Sequence, residues 1–278
     1  MSYATVMVSL VLDQPNAARL EVAGQIAERF DAGLIGIAAS QFSPPMYFTS
    51  GEQAQTLVDE GRASVTKRIG ELEDQFRDAI KNRAKYVEWR SAIDFPARYV
   101  LQEARCADIL ICGGNASGAF LDPFARANPK DLVMQSGRPM LFVPDTVNWL
   151  DLRSILVAWK DTPEARRAVS DSLPMLRKAR DVTVAEIVEE GDSQPAAISR
   201  VRDVVAWLSR HGVAAVELVP ESNDGRDAPA QLEAIAANVG AGLVVAGAYG
   251  HSRFRELILG GMTQHLLTQS ARCVLLSH

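Results

Sequence analysis

The chain has 278 residues, of which 47% are hydrophobic and 23% are charged, so its composition excludes a disordered or fibrous protein. Its net charge of −5 argues against a broad nucleic-acid-binding face, because such faces carry a basic stripe. No apolar segment approaches the ~20 residues that cross a bilayer, and the start of the chain lacks the basic region of a signal peptide. We therefore expect a cytoplasmic protein without nucleic-acid or membrane partners.

In the first half, apolar runs alternate with segments of helical periodicity. The run 6–12 predicts a first strand, and Asp13, Pro15 and Ala17 then open an amphipathic helix. The later predicted elements are strand 34–38, helix 53–81, strand 86–90, helix 96–104, strand 108–112 and strand 140–143. An insertion rich in aromatic residues and proline, residues 41–48, precedes the long helix. We interpret it as a flap packed on its own domain, with a lid or a partner contact as the alternatives.

The second half repeats this order. The run 155–160 leads to Asp161, Pro163 and Ala165, the same Asp-x-Pro-x-Ala pattern that follows the first strand. The remaining predicted elements are strand 182–188, helix 197–210, strand 213–219, helix 228–238, strand 243–246, a helix after Gly260 and strand 273–277.

Strands that alternate with helices imply right-handed crossovers and a parallel sheet covered on both faces. We therefore predict an α/β fold of two tandem, open, mainly parallel five-stranded sheets. The predicted domains are 1–146 and 147–278, and the short linker between them indicates that they pack together as an intramolecular pseudo-dimer.

The three cysteines are widely spaced among apolar residues, so we expect Cys106, Cys112 and Cys273 to be buried structural thiols. The four histidines have no metal-ligand spacing with them or with each other. Neither a disulfide framework nor a metal site is therefore predicted.

A glycine-rich loop follows the fourth strand of the second half. Gly247 and Gly250 come directly after the strand, and Gly260 and Gly261 open the last helix. Glycines let the backbone approach phosphate oxygens, and free N–H groups at a helix start attract anions. Ligands of open α/β sheets bind beyond the carboxyl ends of the strands, so residues 158–161 should meet this loop.

This spacing resembles the nucleotide motif of the universal stress protein family in its tandem, two-domain form. The family motif is glycine, two residues, glycine, nine residues, glycine; Gly247, Gly250 and Gly260 fit it, and Thr263 matches a further hydroxyl position. The resemblance covers essentially the whole chain. It implies a Rossmann-like, stress-response regulatory protein that binds ATP or a related adenine nucleotide, with Mg²⁺ as an accompanying ion of the phosphates.

The resemblance also implies a set of nucleotide contacts in the second half. These are Ala158, Trp159, Lys160, Ile187, Ala246, Gly247, Tyr249, Gly250, Gly260, Gly261, Met262 and Thr263. The first three would lie beside the nucleoside, and Ile187 would contact adenine. The next four would line the loop, and the last four would surround the phosphates.

Two positions in the second half depart from the family pattern. Lys160 stands where the family has a ribose-binding aspartate, with Asp161 one position later, and Gly261 replaces a Ser or Thr. Lys160 could instead reach a phosphate. Losing one hydrogen bond to a charged group costs about 1.5–3 kcal/mol, roughly ten- to hundredfold in affinity. We therefore expect weaker binding than the intact motif gives, and a nucleotide-free scaffold for a protein partner is the alternative.

The first half departs much further. Leu12 stands at the position of the ribose aspartate, and Pro129 removes a backbone donor near the third motif glycine. We predict that this half does not bind ATP. Neither half shows a set of nucleophile, base and orienting residue, so no catalytic residues are assigned and at most slow ATP hydrolysis is expected. A homodimer and an unidentified protein partner are left open.

Overall fold

The computed structural model describes residues 2–42, 51–113, 122–188, 193–220, 226–248 and 261–278. The strands are β1 (Thr5–Ser9), β2 (Gly33–Ala39), β3 (Val87–Ala92), β4 (Ile109–Gly113), β5 (Met140–Val143), β6 (Ser154–Ala158), β7 (Asp181–Ala185), β8 (Val216–Leu218), β9 (Leu243–Gly247) and β10 (Cys273–Ser277). The helices are α1 (Ala17–Phe30), α2 (Gly51–Ile80), α3 (Pro96–Glu103), α4 (Pro129–Gln135), α5 (Pro163–Leu176), α6 (Gln194–Arg210), α7 (Ala228–Asn238) and α8 (Gly261–Thr268).

The ten strands form one continuous sheet in the order β3-β2-β1-β4-β5-β10-β9-β6-β7-β8. Each half contributes five parallel strands in the same relative order, which confirms the predicted α/β architecture. The prediction of two separate sheets is corrected, because β5 and β10 pair antiparallel with Leu141 opposite Leu275. Both strands are buried along their whole length, and their pairing removes two apolar sheet edges from water.

Each face of this sheet carries one apolar core that runs through both halves. On one face, Ile26 of α1 and Phe76 of α2 belong to the same cluster as Val169 of α5 and Val201 of α6. The opposite face is covered by α3, α4, α7 and α8, and its cluster is likewise shared between the halves. The predicted packing of the halves against each other is thus built into the sheet and into both of its cores.

Two residues at equivalent positions of α1 and α5 also join the halves, Gln25 through its side chain and Asp171 through its main-chain oxygen. The Gln25 side chain accepts a hydrogen bond from Leu150 N at 2.8 Å and donates one to Asn148 O at 3.0 Å. Asp171 accepts the Tyr3 hydroxyl at its main-chain oxygen, 2.8 Å away, and the Ser277 hydroxyl at Oδ2, 2.9 Å away.

The predicted elements are all found, but several strands are shorter than their apolar runs. β1 ends at Ser9 rather than at residue 12, although Leu10 and Leu12 beyond it are buried. β7 ends at Ala185, and β8 covers only Val216–Leu218. Apolar residues past a strand end are buried in the following loop, so an apolar run does not mark where pairing stops.

The shared Asp-x-Pro-x-Ala pattern does not mark equivalent places in the two halves. In the second half Thr162 is the N-cap of α5, its hydroxyl accepts Ala165 N at 3.3 Å, and Pro163 is the first helical residue. In the first half the N-cap is Asn16, so Pro15 precedes the helix. Seven residues therefore connect β1 to α1, against four between β6 and α5.

Candidate functional site

The carboxyl ends of β6, β7 and β9 bring together four of the predicted nucleotide contacts. Ala158 and Ala246 are register partners at the ends of β6 and β9. Ile187 follows β7 by two residues, and Met262 is the second residue of α8. Ala158, Ile187 and Met262 are half-buried against the apolar core on the same face of the sheet. We name this group the second-half crevice.

Gly247, the last residue of β9, lies against the first turn of α5. A Cβ at this position would come within 2.4 Å of Ala165 N and 2.7 Å of the carbonyl carbon of Glu164. These are backbone atoms of a helix and cannot move aside as a side chain can. Gly247 is therefore required for packing, and this requirement accompanies any role in ligand binding.

The start of α8 combines a buried hydroxyl residue with an open glycine. Thr263 is 4% exposed, whereas Gly261 is exposed and a Cβ there would meet nothing within 4 Å. The backbone of Gly261 is outside the left-handed region, so a side chain is tolerated there. The predicted contacts Tyr249, Gly250 and Gly260 lie outside the described residues.

Trp159 and Asp161 face away from the second-half crevice. Trp159 N donates to Ala185 O at 2.7 Å, but the indole packs in the core on the opposite face and lines a cavity of about 400 Å³ with Trp207. Only the main chain of Trp159 is thus left to contact a nucleotide. The Asp161 carboxylate pairs with Arg166 of α5 at 2.5 Å. Asp161 stands one position after the expected aspartate position, and a shift of one residue along a strand turns a side chain to the opposite face. Lys160 between them is half-buried, and its carbonyl accepts Thr162 N at 2.7 Å.

The corresponding edge of the first half is occupied by an arginine that the sequence analysis did not single out. Arg19 is the third residue of α1, as Ala165 is of α5, and it is 5% exposed. Its guanidinium donates to Pro15 O at 2.7 Å and to Ser9 O at 3.3 Å. A Cβ on Gly113, the counterpart of Gly247, would lie 2.8 Å from this guanidinium. The Arg19 side chain therefore lies against Gly113, whereas the backbone of α5 lies against Gly247.

The loop after β1 also requires a correction. Leu10 N donates to Ile37 O, as Trp159 N donates to Ala185 O, so the strand pairing places Val11 and not Leu12 at the position of Lys160. The longer loop is closed by Asn16, whose side chain accepts Val11 N at 3.1 Å and donates to Val11 O at 2.8 Å. Counting from the N-caps rather than from the prolines would have found Arg19, whereas Val11 follows only from the strand pairing.

Two of the three cysteines are buried as predicted. Burial raises the pKa of the Cys112 and Cys273 thiols to about 12. The expectation is wrong for Cys106, which is exposed after α3 and lies 3.2 Å from the Arg90 guanidinium. The described residues include no group of three or more His, Cys, Asp or Glu residues that could hold a metal ion. Within the same residues, no helix is both long and apolar enough to span a membrane.

Comparisons with known proteins support the fold rather than a particular activity. No protein-family model and no curated protein matches the chain. Among solved structures, a universal stress protein from Archaeoglobus fulgidus DSM 4304 matches with 14% identity and a TM-score of 0.72, over 98% of this chain and 97% of that one. A functionally unknown protein from Pseudomonas aeruginosa PAO1 matches with 15% identity and a TM-score of 0.61, over 99% of this chain and 92% of that one.

The chain thus has the fold of a universal stress protein over essentially its whole length. The family resemblance read from the glycine spacing is confirmed at the level of the fold.

Proposed function

We propose that this protein is a stress-response regulator that binds ATP or a related adenine nucleotide in the second-half crevice. The observation that supports this most is the convergence of an apolar face, a side-chain-free strand end and a helix start at one edge of the sheet. Ala158, Ile187 and Met262 supply the apolar face, Gly247 ends β9, and Gly261 begins α8. The apolar face suits a purine, and the glycine at the strand end and the helix start suit a phosphate chain.

In this proposal the adenine lies against the apolar residues, and the phosphates approach Gly261 and Thr263. Lys160 follows β6 and supplies a positive charge near the same edge, and Mg²⁺ would enter with the phosphates. Asp161 is the carboxylate closest in sequence to the end of β6, but its ion pair with Arg166 opposes a role as general base. The proposed activity is therefore nucleotide-responsive binding, with at most slow hydrolysis, in a cytoplasmic protein that signals to a second copy or to a protein partner.

Equilibrium binding of labelled ATP tests the site directly. Gly261→Asp places a carboxylate in open space at the start of α8, so we expect it to weaken ATP binding at least about tenfold through charge repulsion. Gly70→Asp is the matched control, because Gly70 lies in α2 and a Cβ there also meets nothing within 4 Å. Undetectable binding at millimolar ATP, or equal weakening by both variants, would contradict the proposal.

A nucleotide-free scaffold is the second candidate function, and the orientation of Asp161 favours it. With Lys160 at the aspartate position and Asp161 held by Arg166, the described end of β6 lacks the ribose-binding carboxylate that the family resemblance implies there. Nucleotide released from the freshly purified protein by denaturation would exclude this alternative. Protein that releases none and binds none would establish it.

A further inference from the structure

A small cavity lies at the carboxyl edge of the first half, in the place that the crevice occupies in the second. It encloses about 50 Å³ between the ends of β1 and β4, the start of α4 and the linker that begins after β5. Arg19 and Arg126 both line it, as does Asp145. We propose that this cavity, the first-half anion site, binds a small oxyanion: inorganic phosphate, sulfate or a carboxylate.

The buried charge of Arg19 is incompletely matched by the protein. Its side chain is 6% exposed, and its Nε–H is buried without a hydrogen-bond partner. The closest carboxylate, that of Asp145, is 4.0 Å from Nη2 and is itself 47% exposed to water. A buried cation with an unsatisfied donor is costly, and a ligand that accepts from the donor and carries negative charge removes both costs.

Arg126 adds a second positive charge to the same cavity. It makes no ion pair with any residue in the described ranges. Burial lowers the pKa of Arg19 most, and the positive charge of Arg126 lowers it further. Two guanidinium groups and one partly solvated carboxylate thus line the same cavity. Guanidinium groups are the side chains best suited to the planar or tetrahedral oxygens of carboxylate, sulfate and phosphate.

The size of the cavity selects the class of ligand. A single water needs about 10–15 Å³ by the same measure, so the first-half anion site holds a few waters or one small ion and excludes a nucleoside. The first two residues of α4 offer no free main-chain donor, because Pro129 has no N–H and Lys130 N already donates to Asn128 Oδ1 at 3.0 Å. The anion would therefore be held by the two arginine side chains.

Thermal unfolding in different salts at constant ionic strength tests this site. We expect at least one of phosphate, sulfate and acetate to raise the melting temperature above its value in chloride by about 2–4 °C at saturation, because an ion that binds only the folded chain stabilises it. Comparing the rise in melting temperature among the three salts shows whether the site prefers phosphate, sulfate or a carboxylate. Arg126→Gln should remove the rise, and Arg62→Gln, which changes an exposed arginine of α2, should keep it.

A third variant separates this site from the nucleotide site. Gly261→Asp should retain the full response, since the first-half anion site does not depend on nucleotide binding in the second half. Equal melting temperatures in all four salts would overturn the proposal. So would a response that Gly261→Asp removes and Arg126→Gln leaves intact, because the anion would then bind at the second-half crevice.

Discussion

The carboxyl edges of the two halves have the same strand order and the same terminal glycine, yet they differ at the helix that follows the first strand. In the second half the third residue of α5 is Ala165, and Gly247 abuts the backbone of that turn. In the first half the third residue of α1 is Arg19, and its guanidinium lies against Gly113. The Arg19 side chain therefore distinguishes the edge for which we propose a small anion from the edge for which we propose a nucleotide.

The glycine pair gives the largest expected difference between the halves. Gly247→Ala would bring a Cβ within 2.4 Å of backbone in α5, so we expect a loss of about 2–3 kcal/mol of stability and of most nucleotide binding. For Gly113→Ala the atoms nearest to the new Cβ belong to the Arg19 guanidinium, which ends a flexible side chain, and we expect a loss of about 1 kcal/mol or less. Urea denaturation of both variants, with ATP binding measured alongside, checks the contrast.

Equal costs for the two substitutions would contradict this comparison, because they would mean that the Arg19 guanidinium moves aside no more easily than the backbone of α5 does. Unchanged ATP affinity in a folded Gly247→Ala protein would argue against the second-half crevice as the binding site.

Thiol labelling tests whether the first-half edge is closed. Cys112 precedes Gly113 and lines the cavity beside Arg19, and its buried thiol has a pKa of about 12. We expect a thiol reagent to label the exposed Cys106 at once and Cys112 at least about a hundredfold more slowly, as peptide mass spectrometry would show. Arg19→Ala should accelerate the labelling of Cys112 and leave Cys273 protected. Equal rates at Cys106 and Cys112 in the natural protein would show that the first-half edge is open.

The sequence predicted much of the fold because strand and helix periodicity was repeated in the two halves. It could not predict the joining of the two sheets through β5 and β10. Both strands have apolar sequences, and the same sequences are expected of edge strands that are covered by their own domain. The conversion of an edge strand to a central one depends on how the halves dock, and no local pattern encodes that.

The candidate site was predicted only where local spacing determines position. Ala158 and Ala246 follow from strand ends, and the structure pairs them. Trp159 has the opposite orientation because side chains alternate along a strand. Arg19 was missed because the repeated proline suggested a register that the N-caps do not share.

Introducing a hydroxyl at the start of α8 should strengthen ATP binding at the second-half crevice. Gly261→Ser fits in open space, and we expect it to tighten ATP binding by about tenfold, the value of one hydrogen bond of about 1.4 kcal/mol. Gly261→Ala is the control, since it adds the same Cβ without a donor. Equal effects of Ser and Ala in equilibrium binding would show that no phosphate oxygen lies within reach of this position.

The smallest expected difference concerns the helix residues that join the halves, neutral Gln25 in α1 and ionisable Asp171 in α5. Burial raises the pKa of the Asp171 carboxyl above its ordinary value of 3.8, although the Ser277 hydroxyl and the charges of Arg167 and Arg138 oppose the shift. The folded chain therefore holds this proton more tightly than the unfolded chain. The resulting stabilisation is complete below pH 3.8 and is lost as the pH rises through the folded-state pKa.

Asp171→Asn makes this position neutral, as Gln25 is, and keeps an oxygen that can accept the Ser277 hydroxyl. We expect a gain of at most about 1 kcal/mol at pH 7, measured by urea denaturation, and no gain at pH 3, where the natural residue is already protonated. Asp203→Asn on the exposed face of α6 should change neither value. A gain of equal size at both pH values would show that packing rather than charge distinguishes the two helix positions.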